Sequence, residues 1–314
     1  MKKIAVAAPI NHEHPDQFFE GDYFSKVAAI ALENKDLSFS IVDVYSLTDK
    51  GLLTSTDPMT QQSRTVDIRE FDLMHFLELE RYLDRDITFR DKWQQVYTML
   101  DTLEKFSLKC INSTDAIRYC SDKTYLLDLQ SAGISIIGTE LIEASSSLPD
   151  LQKKYGTHPT VIKPIRGECG RFVFLLQQVG QRGYQQLTRQ DDVFLLQPFR
   201  EEIRQGEISL LFFDDQLSHA FHRVSSLPSF KKEEPRFPGK SFVHAYTPSA
   251  PELEFGLQVY RAFKQPLNIY RVDFLSSSSG YELMEVESVD PYHYPQLNPS
   301  YAATIGNFYR KHLS

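Results

Sequence analysis

The first third of the chain alternates short apolar runs with segments of helical period. Apolar residues recur every three or four positions over Tyr23–Asn34 and again from Trp93 to Leu103, which is the period of an amphipathic helix. Residues 49–65 are rich in Thr, Ser, Asp and Gln, and they predict a loop. Three further runs have the length of buried strands: Lys2–Ala8, Ser38–Tyr45 and Phe71–Leu77. This alternation predicts a parallel sheet covered by helices over residues 1–110.

Beyond that region, short apolar runs follow one another with few helices between them. A helix is predicted to begin at Ser121 or Asp122, which suit an N-cap, and to end at Gly133. Two more helices are predicted around Leu253–Tyr260 and over Tyr301–Leu313. Strands are predicted at 134–139, 160–165, 171–179, 192–199, 207–214, 217–224, 270–275 and 281–289. Strands in succession predict antiparallel α+β structure, with a boundary between the halves near residues 108–120.

Composition narrows the class of protein. The chain has 314 residues, of which 41% are apolar and 24% charged, as in a globular protein of about two domains. A net charge of −8 argues against nucleic-acid binding, which normally needs a basic face. No apolar run approaches the roughly 18 residues of a membrane span. Three cysteines without metal-ligand spacing predict reduced thiols in a cytoplasmic protein.

Acidic residues alternate along two strands that a serine-rich loop connects. If YRVDFL and YELMEVE pair across SSSSG as a five-residue loop, Arg271 lies opposite Glu285, and both share a face with Asp273 and Glu287. Three carboxylates on one face repel each other unless a cation lies between them, and oxygen ligands suit Mg²⁺. A solvated polar face with cross-strand ion pairs is the alternative.

A lysine ends an apolar strand just before a glycine-containing turn. Lys163 precedes Gly167 and Gly170, and such a turn is able to present backbone N–H groups and a positive charge to a phosphate. An ordinary hairpin is the alternative. Further along, Pro198 interrupts the strand that ends in Leu195–Phe199, which suits either an apolar slot for a base or a plain strand end.

Taken in order, these segments resemble the ATP-grasp superfamily, and in particular its glutathione-synthetase-like, RimK-type branch of carboxylate–amine ligases. The resemblance covers about residues 105–295. It is carried by INSTDAIRYCSDKTYLLDLQSAGISIIGT (111–139), TVIKPIRGECGR (160–171), LLQPFREEIRQGEISLLFFDDQLSHAFHR (195–223) and YRVDF…ELMEVES (270–288). Over the first 110 residues the chain is similar to the pre-ATP-grasp domain of the family in layout only.

The resemblance implies a role for each position that matches a motif. Magnesium would be held by Asp273, Glu285 and Glu287. Arg271 would stabilise the transferred phosphoryl group or the acyl-phosphate, Arg223 is a further basic residue of the site, and Arg236 falls near a substrate-loop arginine. Contacts to ATP would come from Lys123, Lys163, Gly167, Gly170, Gln197, Pro198, Phe199, Glu202 and Glu207, with Lys163 also in a catalytic role.

The implied activity is an ATP- and Mg²⁺-dependent, ADP-forming ligase. It would activate a small carboxylate as an acyl-phosphate for attack by an amine, in one molecule or between two, with amino-acid or peptide-like substrates. The implied organisation is a pre-ATP-grasp domain over 1–110, a small (lid) subdomain over 111–190 and a large subdomain with the metal site over 191–314. A homo-oligomer is also consistent with the family.

Two departures from the family pattern support a different hypothesis. Glu168 places a negative charge in the phosphate loop, and residues 228–241 lack paired glycines. These features favour a nucleotide-binding module without ligase activity, with a regulatory or scaffold role. His12 and His14 follow the first strand and would contact substrate, or else belong to a solvated loop.

Overall fold

The computed structural model of the protein describes residues 1–8, 23–79, 87–167, 170–225 and 241–314. Within these residues the strands form three sheets, of six, four and five strands. The predicted fold class is confirmed, with an N-terminal α/β unit followed by two α+β units. None of the helices in these ranges is long and apolar enough to cross a membrane.

The first sheet lies in the N-terminal unit and is mostly parallel. Its elements are β1 (Lys2–Ala7), α1 (Tyr23–Glu33), β2 (Leu37–Asp43), β3 (Leu52–Thr56), β4 (Ser63–Asp67), β5 (Leu73–Phe76), α2 (Phe89–Glu104) and β6 (Cys110–Ile111). The strand order is β4-β3-β2-β1-β5-β6. As predicted, β1 pairs in parallel with β2 and β5, and β5 with β6.

The prediction of a loop over residues 49–65 is wrong. Strand β3 lies in this segment and pairs with β4 in antiparallel fashion at the edge of the sheet. Strand β3 buries Ser55 and Thr56 as fully as Leu53, so the apolar alternation that identifies a strand is missing from it. The hydroxyl groups of Thr56 and Ser63 are hydrogen-bonded across the pair at 2.8 Å. Buried and hydrogen-bonded polar side chains therefore help to stabilise this hairpin.

The second sheet is antiparallel and has the order β7-β10-β8-β9. Its elements, with the helices before and between them, are α3 (Thr114–Tyr119), α4 (Tyr125–Ser131), β7 (Glu140–Glu143), α5 (Leu148–Tyr155), β8 (Thr160–Pro164), β9 (Phe174–Leu175), α6 (Gln181–Thr188) and β10 (Val193–Pro198). The predicted strand 171–179 is reduced to β9, because Gly170 and Phe172 both have positive φ and break the extended conformation. The predicted strand 134–139 makes one bridge, from Ile136 to Leu283.

The predicted caps of α4 are half correct. The helix starts later than expected, with Thr124 at the N-cap position, and the carboxylate of Asp122 accepts the N–H of Thr124 at 2.9 Å. Gly133 follows the helix with a φ of +90°, the left-handed conformation that a glycine exit requires.

The third sheet contains the strands that carry the acidic residues. Its elements are β11 (Glu207–Phe213), β12 (Gln216–Ser225), β13 (Ser241–Tyr246), α7 (Ala250–Ala262), β14 (Ile269–Ser277) and β15 (Gly280–Glu287), and helix α8 (Tyr301–Leu313) follows. The order is β13-β12-β11-β14-β15, antiparallel throughout. Helix α7 packs Phe255 and Val259 against this sheet.

Helix α8 packs against the first sheet and against β11 of the third sheet, where the rings of Phe308 and Phe213 have centroids 5.2 Å apart. Ile305, Phe308 and Tyr309 share a buried apolar cluster with Ile4 and Val6 of β1, and the cluster also contains residues of α1 and β2. In the same way, Phe89 at the start of α2 belongs to the core of the second unit. The division at residues 110 and 190 stays a prediction, and the apolar cores cross it at these places and at α4, whose Leu126 and Leu129 lie in the core of the third sheet.

Candidate functional site

The acidic hairpin β14–β15 pairs in a different register from the predicted one. Asp273 lies opposite Glu285 and Arg271 opposite Glu287, two residues away from the expected pairing. The connection is shorter than assumed, since Ser277 pairs with Gly280, and Met284 is an extra residue in a β-bulge. The bulge places Leu283 in the apolar core while Glu285 and Glu287 project to the other face.

Three carboxylates converge on that face. One oxygen each of Asp273, Glu285 and Glu287 lies within 4.8 Å of the others. Burial together with the other two carboxylates outweighs Arg271 and raises the pKa of Glu287 to about 7. A donor set made of carboxylate oxygens alone is the kind of site that Mg²⁺ prefers. These residues therefore fit a divalent cation.

Arg271 lies beside this cluster and is almost fully buried. Its guanidinium is 2.7 Å from Asp273 and 2.6 Å from Glu287. It also donates to the carbonyl of Tyr292 at 3.3 Å and lies over the ring of Phe221. Although burial raises the pKa of Asp273, Arg271 more than compensates and holds it below its ordinary value. The arginine is thus fixed at the edge of the candidate metal site.

Arg223 approaches the same cluster from strand β12, which β11 separates from β14. It forms a close ion pair with Glu207 of β11 and lies 3.7 Å from Asp273. Glu207 is buried and directed at this arginine, so the structure brings it beside the acidic cluster. Its carboxylate serves here to orient Arg223, whereas the sequence resemblance implies a place near the nucleotide.

Two lysines reach the cluster from the second unit. The ammonium of Lys123 lies 3.6 Å from Glu285 and donates to the carbonyl of Gly167 at 3.1 Å. Burial lowers the pKa of Lys163 to about 8. Burial raises the pKa of Glu285, but Lys123 and Lys163 together hold it below its ordinary value. The positive charges of Lys123 and Lys163 therefore face the carboxylate of Glu285.

The predicted phosphate loop, residues 166–171, is anchored at its first residue. Arg166 pairs with Asp191 at 2.5 Å and with Asp122 at 3.3 Å. At the other end, Gly170 has a φ of +69°, and the guanidinium of Arg171 lies over the ring of Phe172. Arg166 therefore fastens the start of the loop to the body of the second unit.

The segment predicted to contact adenine, Gln197–Phe199, lies at the end of β10. Pairing of β10 with β7 ends at Leu196, whereas pairing with β8 continues to Pro198. The amide of Gln197 donates to the hydroxyl of Thr139 at 2.8 Å, and the N–H of Phe199 donates to the carbonyl of Pro159 at 2.8 Å. Glu202 is half-buried in the short 3₁₀ helix that follows. Adenine contacts at this segment stay a prediction.

Comparison with known proteins assigns the chain to a family. The model of the RimK-like ATP-grasp domain matches residues 120–294, which is just over half of the chain. The chain belongs to the RimK-like ATP-grasp family. The match contains the carboxylate cluster, both lysines and the loop that Arg166 fastens.

Individual relatives of this RimK-like ATP-grasp chain are distant. The cycloserine biosynthesis protein DcsG of Streptomyces lavendulae is 28% identical over 156 residues, which span 45% of this chain and about half (52%) of that protein. The crystal structure of D-cycloserine synthetase DcsG superposes with a TM-score of 0.74 at 18% identity, covering 99% and 100% of the two chains. VanG D-Ala:D-Ser ligase from Enterococcus faecalis gives 0.66 at 15% identity, covering 98% of both chains. These superpositions show the shared fold.

Sequence reasoning on this RimK-like ATP-grasp chain missed the partners that hold the site residues in place. Asp191, which binds Arg166, and Tyr292, which binds Arg271, have no motif of their own. Tyr292 stands five residues beyond the end of β15 at Glu287, and no sequence pattern there identifies it. The following residues that the sequence singled out lie outside the described residues: His12, His14, Glu168, Cys169 and Arg236.

Proposed function

We propose that the protein is an ATP- and Mg²⁺-dependent ligase that joins a carboxylate to an amine through an acyl-phosphate. The observation that carries the proposal is the convergence of Asp273, Glu285 and Glu287 opposite Lys123 and Lys163. Carboxylates of one unit hold a cation, lysines of the other bind phosphates, and the nucleotide lies between them. Membership of the RimK-like ATP-grasp family supports the same activity.

In this proposal the metal is held by Asp273, Glu285 and Glu287. When bound, Mg²⁺ neutralises charge on the phosphates and on the group that is transferred. Four cationic side chains, Lys123, Lys163, Arg223 and Arg271, lie among four anionic ones, the three ligands and Glu207. The side chains of the site are thus balanced in formal charge before MgATP arrives.

The arginines act on the carboxylate and the transferred phosphoryl group. Arg271 is held rigid by two carboxylates and a carbonyl, so its charge is preorganised. The Glu207 carboxylate orients Arg223 in the same manner. Fixed positive charge of this kind stabilises the negative charge that spreads over the phosphoryl group during transfer. Burial lowers the pKa of Lys163, and a bound phosphate gives its ammonium a partner.

The nucleotide and the two substrates occupy the cleft between the second and third units. We assign residues 166–171, in the lid of residues 111–190, to the phosphates, and Gln197, Pro198, Phe199 and Glu202, in the large subdomain, to adenine and ribose. The relatives include a D-Ala:D-Ser ligase and a D-cycloserine synthetase. An amino acid is therefore the favoured substrate class, and ring closure within one molecule belongs to the same chemistry.

The experiment measures ADP formation with MgATP across a panel of amino acids and short peptides. Asp273→Asn and Glu285→Gln are each expected to lower turnover at least about 100-fold, because the metal supplies several kcal/mol and about 1.4 kcal/mol is tenfold in rate. Glu254→Gln, which alters an exposed ion pair with Arg261, is the control and leaves turnover unchanged. Unchanged turnover in the site variants contradicts the metal assignment.

The same panel separates the second hypothesis. A nucleotide-binding module without ligase activity binds MgATP, as seen in a raised unfolding midpoint, but forms no ADP with any acceptor. A ligase forms ADP and a new amide in equal amounts with one acid and amine pair.

A further inference from the structure

A small cavity lies at the carboxyl end of β1 and β5, beyond the carboxylate cluster. Its volume is about 30 Å³, which has room for about two water-sized groups. The carboxyl ends of parallel strands are the usual place for ligands in open α/β sheets. Its polar lining comes from Lys26, His75, Tyr292 and His293, and the remaining walls are mostly apolar.

Two buried histidines face one another in this cavity. The rings of His75 and His293 are stacked, with centroids 5.7 Å apart and planes inclined by 17°. Only 2% and 3% of their surfaces are exposed. The Nδ1 atom of His75 is hydrogen-bonded to the hydroxyl of Tyr309 at 2.6 Å, and that of His293 to the hydroxyl of Tyr301. Each ring is therefore fixed through one nitrogen.

The other ring nitrogens remain available. Across the described ranges of the chain, neither Nε2 atom has a hydrogen-bond partner. Buried polar atoms are nearly always paired in folded proteins, so two orphan nitrogens on residues that line one cavity indicate a bound group. This observation is independent of the carboxylate cluster and of the nucleotide.

The tyrosines decide which hydrogen-bonding role these nitrogens have. A phenol O–H is the stronger donor and an imidazole nitrogen the stronger acceptor, so Tyr309 and Tyr301 donate to Nδ1. Burial lowers the pKa of His75 to about 3 and that of His293 well below its ordinary value, so both rings are neutral at pH 7. A neutral ring that accepts at Nδ1 carries its proton at Nε2. The two residues that carry these N–H donors both line the cavity.

Lys26 adds positive charge at the same place. Its ammonium donates to the hydroxyl of Tyr292 at 2.8 Å and lies 4.4 Å from the centre of that ring. The carbonyl of Tyr292 accepts from Arg271, so one residue separates the cavity from the arginine of the active site. Two neutral donors beside a cation form a site for a small anion with two acceptor oxygens.

We propose that this cavity binds a carboxylate group, with the Nε2–H groups of His75 and His293 donating to its oxygens and Lys26 supplying the balancing charge. Its volume matches the two oxygens of a carboxylate. We assign this carboxylate to the non-reacting end of an amino-acid substrate, and this assignment rests on the proposed function. The anion site itself does not depend on the proposed function.

The test uses the full chain labelled with ¹⁵N at histidine, without nucleotide or magnesium, and acetate as the probe. Imidazole ¹⁵N spectra report the tautomer of each ring. We expect both buried rings to carry the proton at Nε2, and acetate to shift these two signals in a saturable manner. Sodium chloride at equal ionic strength produces no such shift, and the exposed His158 is the internal control for both salts.

Two variants complete the test. His293→Leu removes the donor and is expected to weaken acetate binding at least tenfold, whereas His293→Gln keeps an N–H near the same position and restores much of it. A proton on Nδ1 in either ring, or no response to acetate, overturns the proposal and leaves a cavity for water only. If His293→Leu does not fold, the tautomers and acetate response of the wild type still decide. ADP formation is assayed separately, so failure of the ligase assignment is distinguishable.

Discussion

The buried histidine His75 makes the stability of the protein depend on pH. Its ring is almost fully buried and burial lowers its pKa to about 3, whereas the ordinary value in an unfolded chain is about 6.5. Above that ordinary value neither state binds a proton there, and the group contributes no pH dependence. Below it the unfolded chain binds a proton that the folded protein does not accept until about pH 3. Stability is therefore lost as the pH falls through this window.

The size of the loss follows from the two pKa values. Each pH unit within the window removes about 1.4 kcal/mol from the free energy of unfolding. From about pH 7.5 to about pH 5 the loss due to His75 is about 2 kcal/mol, and it continues toward about 5 kcal/mol near pH 3. Proteins are stable by only about 5–15 kcal/mol, so the loss is large enough to measure.

The variant His75→Gln removes the titration while it keeps an amide N–H. We expect its free energy of unfolding to fall by about 2 kcal/mol less than that of the wild type between about pH 7.5 and about pH 5. Denaturant unfolding at both pH values, in buffers without carboxylate, measures this difference. Groups that titrate in both proteins and do not contact His75, such as Glu287 with its raised pKa, cancel in the comparison.

The exposed His158 offers the matched control, and His158→Gln should follow the wild type. If His75→Gln and the wild type lose the same free energy within about 0.5 kcal/mol, His75 is not a neutral buried ring and the reasoning is refuted.

Two further predictions concern packing and ion pairing. A methyl group at Gly306 of α8 would overlap the side chain of Asn34, which donates hydrogen bonds to the carbonyls of Ile30 and Ala302. Gly306→Ala should therefore lower the free energy of unfolding, measured with heat or denaturant, by about 2 kcal/mol. Ala303→Gly, at an exposed position of the same helix, is the control and should lower it by less. An equal or smaller loss at Gly306 would contradict this account. Asp191→Asn breaks the buried ion pair with Arg166, so it should lower the free energy of unfolding by about 3 kcal/mol and speed hydrogen exchange in β8. Asp192→Asn, which alters an exposed ion pair with Arg90, is the control and should change the free energy of unfolding by less than about 1 kcal/mol. Similar losses in both variants would show that burial does not decide the strength of this pair.

Local pattern predicts most of the elements, because burial of one face imposes a period on the residues of a helix or strand. The antiparallel hairpin β3–β4 was missed for the same reason, since buried hydroxyls replace apolar side chains in it. Candidate residues on the acidic strands were predicted from alternation alone. Their register was not, because it depends on a two-residue connection and on the bulge at Met284, which alternation does not encode.

Ion pairs between residues far apart in the sequence cannot be predicted from local pattern. Arg166 belongs to a segment whose sequence predicts a loop over phosphates. The two carboxylates that pair with Arg166 lie 25 and 44 residues away in the chain. Only the fold brings Asp191 and Asp122 to it. The stacked rings of His75 and His293 are likewise more than 200 residues apart, so no motif in either neighbourhood identifies them.

The position of helix α8 bears on how the protein is made on the ribosome. One face of the first sheet is covered by Ile305, Phe308 and Tyr309, yet the last strand of that sheet ends at Ile111. Some 190 residues separate Ile111 from Tyr301, and at about 5–20 residues per second they take about 10–40 s to synthesise. Throughout that interval the nascent N-terminal unit exposes the apolar surface that α8 later buries. Its folding is therefore completed after translation of the helix, and the nascent chain is a natural client for chaperones during the wait.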